Sequence, residues 1–410
     1  MRIYIAVFFF FLTEFSFSQN NSSWFTQLMI RELVYELSDD YYEGRQTGEE
    51  GGKKAGDYIF NYFTKNFKDF KNVDIYTQEF EFSVSKNPHI NSENGVKKLA
   101  KNIICYIDNK KEETIVIGAH YDHLGHGHFG SRYTGENSLI HNGADDNASG
   151  VALGMALMDV LYDSNKMYNY LFIAFDGEEM GLYGSSFFCK NPTIELSDIR
   201  FMLNFDMVGR LNSNNDLAIN GVGTSSKWIN LINQVNIDNN FKLKLSESGI
   251  GPSDHSSFYL QDIPALHFFT GQHEDYHKPS DDRNKVNYEG ILDILFFVEN
   301  IIYASNSIDD FDFKETKNDS QKTPKFSVTL GVMPDYLFSG KGMRIDGVSK
   351  GKTGDKYGIL KGDIVIKMGS VDVSDMMSYM KGLSQFNKGD ETIVKILREG
   401  KEINISLIFQ

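Results

Sequence analysis

Short apolar runs, each ended by polar residues, are the feature that most restricts the fold of this chain. Ile103–Ile107, Thr114–Ile117 and Leu171–Phe175 are such runs, and their length and apolar character predict buried strands. Val73–Phe82 alternates like a further strand. Apolar residues at helical spacing occupy Trp24–Leu37, Ala55–Phe67, Ser149–Leu161, Lys227–Val235 and Glu289–Tyr303. Strands alternating with helices predict an α/β domain with a mostly parallel central sheet and helices on both faces.

A change of composition marks a second domain. The 410 residues leave room for two domains, and residues 305–324 are polar and charged, as a linker is. Short β-type runs punctuated by glycines follow, from Met343 onward. We therefore predict a signal peptide at 1–18, a first domain at 19–304, a linker at 305–324 and a small β-rich domain at 325–410.

The amino terminus has the pattern of a cleavable signal peptide. Arg2 precedes an apolar run from Ile3 to Leu12, and Ser16 and Ser18 form a small-x-small cleavage pattern. The run is too short for a membrane span, which needs about 20 residues, and no later segment qualifies. The sequence therefore predicts an exported protein, periplasmic or extracellular, with no transmembrane segment.

Charge and cysteine content exclude some classes of function. The formal net charge of −15 repels phosphate backbones, so nucleic-acid binding is not expected. The two cysteines, Cys105 and Cys189, lie in apolar stretches. They could form one disulfide in an oxidising compartment or remain buried thiols, and the sequence leaves both readings open.

Polar residues capable of metal chemistry follow the predicted strands. His120 comes just after Thr114–Ile117; it could ligate zinc while Asp122 fixes its ring orientation. Glu178 and Glu179 follow the next strand. Two adjacent carboxylates at a buried strand end disfavour joint ionisation unless cations neutralise them or one holds a proton as a general base. These residues predict a metal with a base beside it.

Other polar clusters are ambiguous when taken alone. Asp145 and Asp146 open a helix, where carboxylates more often cap backbone N–H groups than bridge metals. Asp206 ends the run Phe201–Phe205, and His277 lies in a polar loop. A lone aspartate or histidine in such a place is usually structural, but five clusters in one α/β domain are hard to attribute to chance.

These clusters, in this order and after Glu43–Gly48, resemble the pattern of the two-zinc aminopeptidase family. The members of this family are metallopeptidases related to bacterial leucyl aminopeptidases, glutamate carboxypeptidase and glutaminyl cyclase. The resemblance covers roughly Asp39 to Tyr303 and implies the zinc exopeptidase fold with two Zn²⁺ ions per chain. By position it implies Glu178 as general base and Tyr276 as a residue that helps hold the developing oxyanion. It implies these metal ligands: His120 and Asp206 on one ion, Glu179 and His277 on the other, and Asp146 bridging both.

Two further segments have open interpretations. Asp254 and His255 lie in Gly251–Phe258, which also matches the family, and a structural or substrate-orienting role is favoured over metal ligation for both. The histidines of the loop after His120 either shape the site entrance or belong to a flexible segment. They are His123, His126 and His128.

The second domain, Phe326–Phe409, resembles bacterial PDZ domains, mainly in Gly358–Leu360 and Gly362–Val365. It departs from their usual pattern at Thr353–Tyr357. PDZ domains add an extended peptide end to a sheet edge, and the loop Leu337–Gly342 is the candidate carboxylate-binding loop. A peptide-docking module and a stabilising appendage are both open interpretations.

The combined resemblance implies an exported zinc-dependent aminopeptidase that removes amino-terminal residues from peptides or proteins. A glutaminyl cyclase or a carboxypeptidase on the same fold is the alternative within this family. A non-catalytic protein that binds peptides through its PDZ domain is the alternative from another class.

Overall fold

The computed structural model describes residues 23–84, 96–316, 327–334, 338, 340–348, 351–374 and 376–410. The predicted signal peptide and most of the predicted linker lie outside these residues. The described chain forms two β-sheets, one on each side of the undescribed segment 317–326.

The first domain contains seven α-helices among its described residues. They are α1 (23–37), α2 (Glu50–Phe67), α3 (Gly150–Ser164), α4 (Tyr183–Lys190), α5 (Trp228–Asn239), α6 (His255–Tyr259) and α7 (Tyr288–Ser305). In the part of the chain that the structure covers, we find no helix with the length and apolarity needed to cross a membrane.

Eight strands form the sheet of this domain. They are β1 (Val73–Val84), β2 (Val96–Ile107), β3 (Thr114–His120), β4 (Asn169–Phe175), β5 (Ile199–Phe205), β6 (Asp216–Asn220), β7 (Lys242–Ser246) and β8 (Ala265–Phe269). Their order is β1-β2-β4-β3-β5-β8-β6-β7.

The centre of the sheet is parallel, and its flanks are mixed. β4, β3, β5 and β8 run parallel to one another, with Gly118 of β3 level with Ile173 of β4 and Asn204 of β5. β1 and β2 form a long antiparallel pair, β2 is antiparallel to β4, and β6 is antiparallel to β8. The α/β class is confirmed, with antiparallel pairing on both sides of the parallel core.

Helix α2 begins five residues before the predicted start at Ala55, and its first turn contains Gly51 and Gly52. A Cβ on Gly51 would lie 2.0 Å from the carbonyl oxygen of Tyr42, and one on Gly52 would lie 2.5 Å from that of Gln46. Glycine at these positions therefore lets the first turn of α2 pack against the preceding backbone.

Apolar side chains cover both faces of the sheet. The larger cluster includes Cys105 and packs helices α2, α3, α5 and α7 against one face. A smaller cluster includes Cys189 and packs α4 and α6 against the other. Both cysteines are buried free thiols, and burial raises the pKa of Cys189 to about 12. Their places in separate clusters explain why they do not pair.

The first part of the predicted linker packs on the first domain. Phe311 is buried, with its ring centroid 4.9 Å from that of Phe201 and 4.5 Å from that of Trp228. Asp312 accepts hydrogen bonds from Ser225 and Ser226. We therefore propose that the linker begins after Thr316, later than the composition predicted.

The C-terminal residues form a small β-rich domain with its own apolar core, as expected. Its sheet has the order β14-β13-β11-β10-β9, with β12 paired to β11. Its elements are β9 (Val332–Pro334), β10 (Met343–Val348), α8 (Thr353–Lys356), β11 (Ile364–Met368), β12 (Val371–Asp372), α9 (Met376–Leu383), β13 (Glu391–Arg398) and β14 (Lys401–Ile408).

One buried carboxyl group makes the stability of the first domain depend on pH. Asp159 of α3 accepts a hydrogen bond from the Tyr62 hydroxyl at 3.1 Å, and burial raises the pKa of Asp159 to about 6. This carboxyl ionises near pH 4 in the unfolded chain. The folded state therefore loses stability as pH rises from about 4 to about 6.

We expect Asp159→Asn, which keeps the acceptor but not the charge, to stabilise the first domain at pH 8. The gain is at most about 3 kcal/mol, for a difference of about two pKa units, and it disappears at pH 4. Urea unfolding followed by tryptophan fluorescence measures it, since both tryptophans, Trp24 and Trp228, lie in this domain. An equal difference at both pH values would contradict the assignment.

Candidate metal centre

The ends of three neighbouring parallel strands bring the predicted site residues together. His120 is the last residue of β3, Asp206 directly follows β5, and Glu178 and Glu179 follow β4 within four residues. Because parallel strands end at the same edge of a sheet, their following residues share one crevice. Asp146 reaches this crevice from the turn before α3, and His277 reaches it from the loop after β8.

One group of candidate ligands surrounds His120. Its Nε2 lies 3.4 Å from Asp206 Oδ1 and 3.5 Å from Asp146 Oδ1. Zinc bonds of 2.0–2.1 Å in tetrahedral geometry place neighbouring ligand atoms about 3.3 Å apart. These three side chains form one of two groups, among the described residues, that are spaced closely enough to hold a metal ion.

A second group lies on the other side of Asp146. His277 Nε2 is 3.3 Å from Asp146 Oδ2 and 3.2 Å from Glu179 Oε2. Asp146 therefore offers one oxygen to each group, as a carboxylate that bridges two metals would. The adjacent Asp145 turns away from the crevice and accepts hydrogen bonds from the Gly209 N–H and the Ser149 hydroxyl.

His123 also enters the second group, although its role was left open by the sequence. Its Nδ1 lies 2.8 Å from Glu179 Oε1 and 3.8 Å from Asp146 Oδ2. His123, Asp146 and Glu179 form the other group with metal-binding spacing. The signal in the sequence was its position three residues after His120, whereas His126 and His128 are exposed.

Asp122 orients the ligands of both groups. It is fully buried, and its Oδ1 lies 3.5 Å from His120 Nδ1. The backbone N–H groups of Glu178 and Glu179 donate to its two carboxylate oxygens at 3.1 and 3.3 Å, and Thr47 donates its hydroxyl at 2.9 Å. A carboxylate behind a ligating histidine fixes the ring and raises its basicity.

The turn that carries Asp146 is held by a residue that sequence reasoning missed. Asp281 Oδ2 accepts the backbone N–H groups of Asp145 and Asp146 at 2.9 and 3.0 Å, and its other oxygen pairs with Arg210. In the sequence, Asp281 is one of several polar residues in the loop after His277. The turn that it contacts lies more than 130 residues away in the chain, so residue spacing gave no signal of this contact.

A buried arginine ties together the loops below the centre. Arg45 is 1% exposed, and its guanidinium donates to the carbonyl oxygens of Leu37, Tyr121, Asn142 and Gly143. Burial lowers its pKa to about 10, while the attraction of Asp146 and Asp122 works in the opposite direction. Arg45 therefore holds the backbone around the ligand-bearing turn.

The charge of the crevice is dominated by carboxylates. Burial raises the pKa of Glu178 well above the usual carboxyl range, and repulsion from Asp206 and Glu179 adds to the effect, while His120 opposes it. Burial acts in the same direction on Glu179, but His277 and His123 outweigh it and hold that pKa well below its usual range. Cations bound here would relieve the repulsion.

Asp254 and His255 lie outside both ligand groups. They are fully buried at the start of α6, and their side-chain polar atoms have no hydrogen-bond partner among the described residues. The His255 ring stacks on that of His267, with centroids 4.8 Å apart. This placement behind the centre agrees with the preference for a role other than metal ligation.

A cavity of about 60 Å³ opens beside the candidate ligands. Its apolar walls come from Met207, Pro252, Phe269 and Tyr276. The Tyr276 ring stacks on the His277 imidazole, with centroids 3.8 Å apart. Tyr276 is thus placed at the junction of the ligand set and the cavity.

Comparison with known proteins agrees with this geometry. The sequence profile of peptidase family M28 matches residues 102–302, the segment that supplies every candidate ligand. These residues form an M28 peptidase domain. Imidazole and carboxylate ligands are the set that zinc takes in proteins, so the donors in this M28 domain fit zinc.

Curated relatives match about half of this chain or less. Aminopeptidase YwaD of Bacillus subtilis is 27% identical over 221 residues, 52% of this chain and 44% of that protein. Leucine aminopeptidase 2 of Trichophyton rubrum is 29% identical over 167 residues, 38% of this chain and 30% of that protein. The matched part thus spans less than half the length of either relative.

Solved structures share the fold of the M28 domain. A zinc aminopeptidase from Bacillus subtilis has a TM-score of 0.55 at 18% identity, covering 71% of this chain and 98% of that chain. A glutaminyl cyclase from Porphyromonas gingivalis has a TM-score of 0.54 at 16% identity, covering 68% and 97%. These likenesses confirm the predicted fold of the first domain.

Proposed function

We propose that this chain is an exported two-zinc aminopeptidase. The observation that carries the proposal is the position of Asp146, whose two carboxylate oxygens face two separate histidine and carboxylate groups beside the partly exposed Glu178. His120 and Asp206 would hold one zinc ion, Glu179 and His277 the other, and Asp146 both. When bound, paired zinc ions lower the pKa of a water and polarise a substrate carbonyl.

Glu178 is the proposed proton acceptor. Its carboxylate Oε2 lies 4.0 Å from His120 Nε2, so it borders the ligand set without being needed to complete it. Cations nearby favour the ionised carboxylate and counter the effect of burial on its pKa. Glu178 would take the proton of the attacking water and deliver it to the nitrogen of the leaving amine.

The charge of the cavity favours an amino-terminal substrate over a carboxyl-terminal one. Among the described residues that line the cavity there are four acidic side chains and no lysine or arginine. Two bound zinc ions would offset the four carboxylates, so the preference comes from the cationic side chain that a terminal carboxylate needs and does not find among these residues. The apolar walls would accept the side chain of the first residue, and the Tyr276 hydroxyl would stabilise the developing oxyanion.

Export and peptide docking complete the proposal. The pattern at residues 1–18 supports export to the periplasm or beyond the cell. We propose that the C-terminal domain is PDZ-like and takes a peptide ligand by strand addition, since β9 lies at an edge of its sheet. Of the candidate carboxylate-binding loop, Leu337 and Ser339 lie outside the described residues.

Amino-acid release from a peptide panel tests the proposal. We expect the purified mature chain to release the first residue of unblocked peptides, to spare amino-terminally acetylated ones, and to lose this activity when zinc is chelated. Release from the carboxyl end would indicate a carboxypeptidase. Cyclisation of amino-terminal glutamine without release would indicate a cyclase, and peptide binding with no turnover would indicate a non-catalytic protein.

Glu178→Gln should lower kcat by about 10²–10⁴-fold, the range for loss of a positioned proton acceptor. KM and zinc content should stay within error, because the neutral amide keeps the size of the side chain and the ligands are intact. Glu274→Gln is the matched control, since Glu274 is exposed in the loop that carries His277. A Glu178→Gln variant with the turnover of the control would rule out the proposed role.

A further inference from the structure

Two histidines, instead of one, flank the carboxylates of the second metal position. His277 approaches Glu179 and Asp146 from the loop after β8, at 3.2 and 3.3 Å. His123 approaches the same two side chains from the loop after β3, at 2.8 and 3.8 Å through Nδ1. The rings of the two histidines meet at 73°, with centroids 5.9 Å apart. Both histidines therefore contact the same two carboxylates.

We infer that His123 is a metal ligand, which coordinates the second ion through Nδ1. The inference rests on the proposed two-zinc site and adds a residue that the family pattern does not supply. Tetrahedral zinc places its ligand atoms about 3.3 Å apart, and the two His123 separations bracket that value. Asp146 and Glu179 complete the ligand set with His277.

The surroundings of His123 fix the ring in this orientation. Its side chain is fully buried, and its backbone N–H donates to the Arg45 carbonyl at 3.2 Å. Gly143 lies directly against the ring, where a Cβ would come within 2.5 Å of His123 Cδ2. The ring is thus confined with Nδ1 towards the carboxylates, while Nε2 has no hydrogen-bond partner among the described residues.

Four protein ligands at the second position make the two positions unequal. Zinc held by four protein side chains is typical of closed structural sites, and catalytic zinc keeps a position open. The first position has only His120, Asp206 and Asp146 from the protein. The open coordination position thus belongs to the first ion, on the side of Glu178, and the second ion is held more tightly.

Proton NMR of the Co²⁺-substituted full chain tests this ligand directly. Each ligating imidazole keeps one exchangeable N–H on its other nitrogen, and the paramagnetic ion shifts that proton far from the diamagnetic range. We expect three such signals, from His120, His123 and His277. Two signals in the wild-type protein, with two Co²⁺ bound, would overturn the inference, and this count needs no variant to fold.

Variants supply the second readout. His123→Gln should remove one of the three signals and weaken one of the two metal sites by at least about 10-fold, the lower limit for residues that merely support a ligand. His128→Gln is the matched control, because His128 is exposed on the same loop. Unchanged Co²⁺ affinity in folded His123→Gln would overturn the inference.

Metal stoichiometry separates the two proposals. A wild-type chain that binds fewer than two metal ions would contradict the proposed two-zinc site itself, and the assignment of His123 would fall with it. A chain that binds two ions but shows two imidazole signals would contradict only the assignment of His123.

Discussion

The rest of this structure depends on one constraint: the carboxylates buried at one edge of its parallel sheet must be neutralised. Asp122 and Asp146 are almost wholly buried, and Glu178, Glu179 and Asp206 lie within the same crevice. Like charges at such distances in a low dielectric oppose one another's ionisation. Histidines reduce the repulsion in part, and bound cations would remove most of it. Bound cations would therefore stabilise the charge arrangement of this crevice as well as supply its chemistry.

The surrounding elements keep these charges in place. Asp122 accepts backbone N–H groups from the turn that carries Glu178 and Glu179, and Asp281 does the same for the turn that carries Asp146. Arg45 draws together four carbonyl groups from three segments below them. Glu179 and Asp146 thus lie on backbone that is fixed by another buried charge. Such support holds ligand atoms in position before a metal binds.

The parts of the fold and site that could be predicted are those with a local signal. The largely apolar runs of β3, β4 and β5 identified the core of the sheet. The residues at or just after the ends of these strands supplied His120, Glu179 and Asp206. β6 and β7 are short and carry polar residues, so their pattern was too weak to read. The choice of Asp146 over Asp145 came from resemblance, since both precede the same helix. Asp281 and His123 act through contacts between distant segments, which spacing does not encode.

The most direct test of the account is a crystal structure of the zinc-loaded chain measured at the zinc absorption edge. We expect two anomalous peaks about 3.5–4 Å apart, the spacing of paired catalytic metals, with Asp146 between them. The peak on the His120 side should lack a fourth protein ligand. A single peak, or two peaks that do not share Asp146, would contradict the two-metal account.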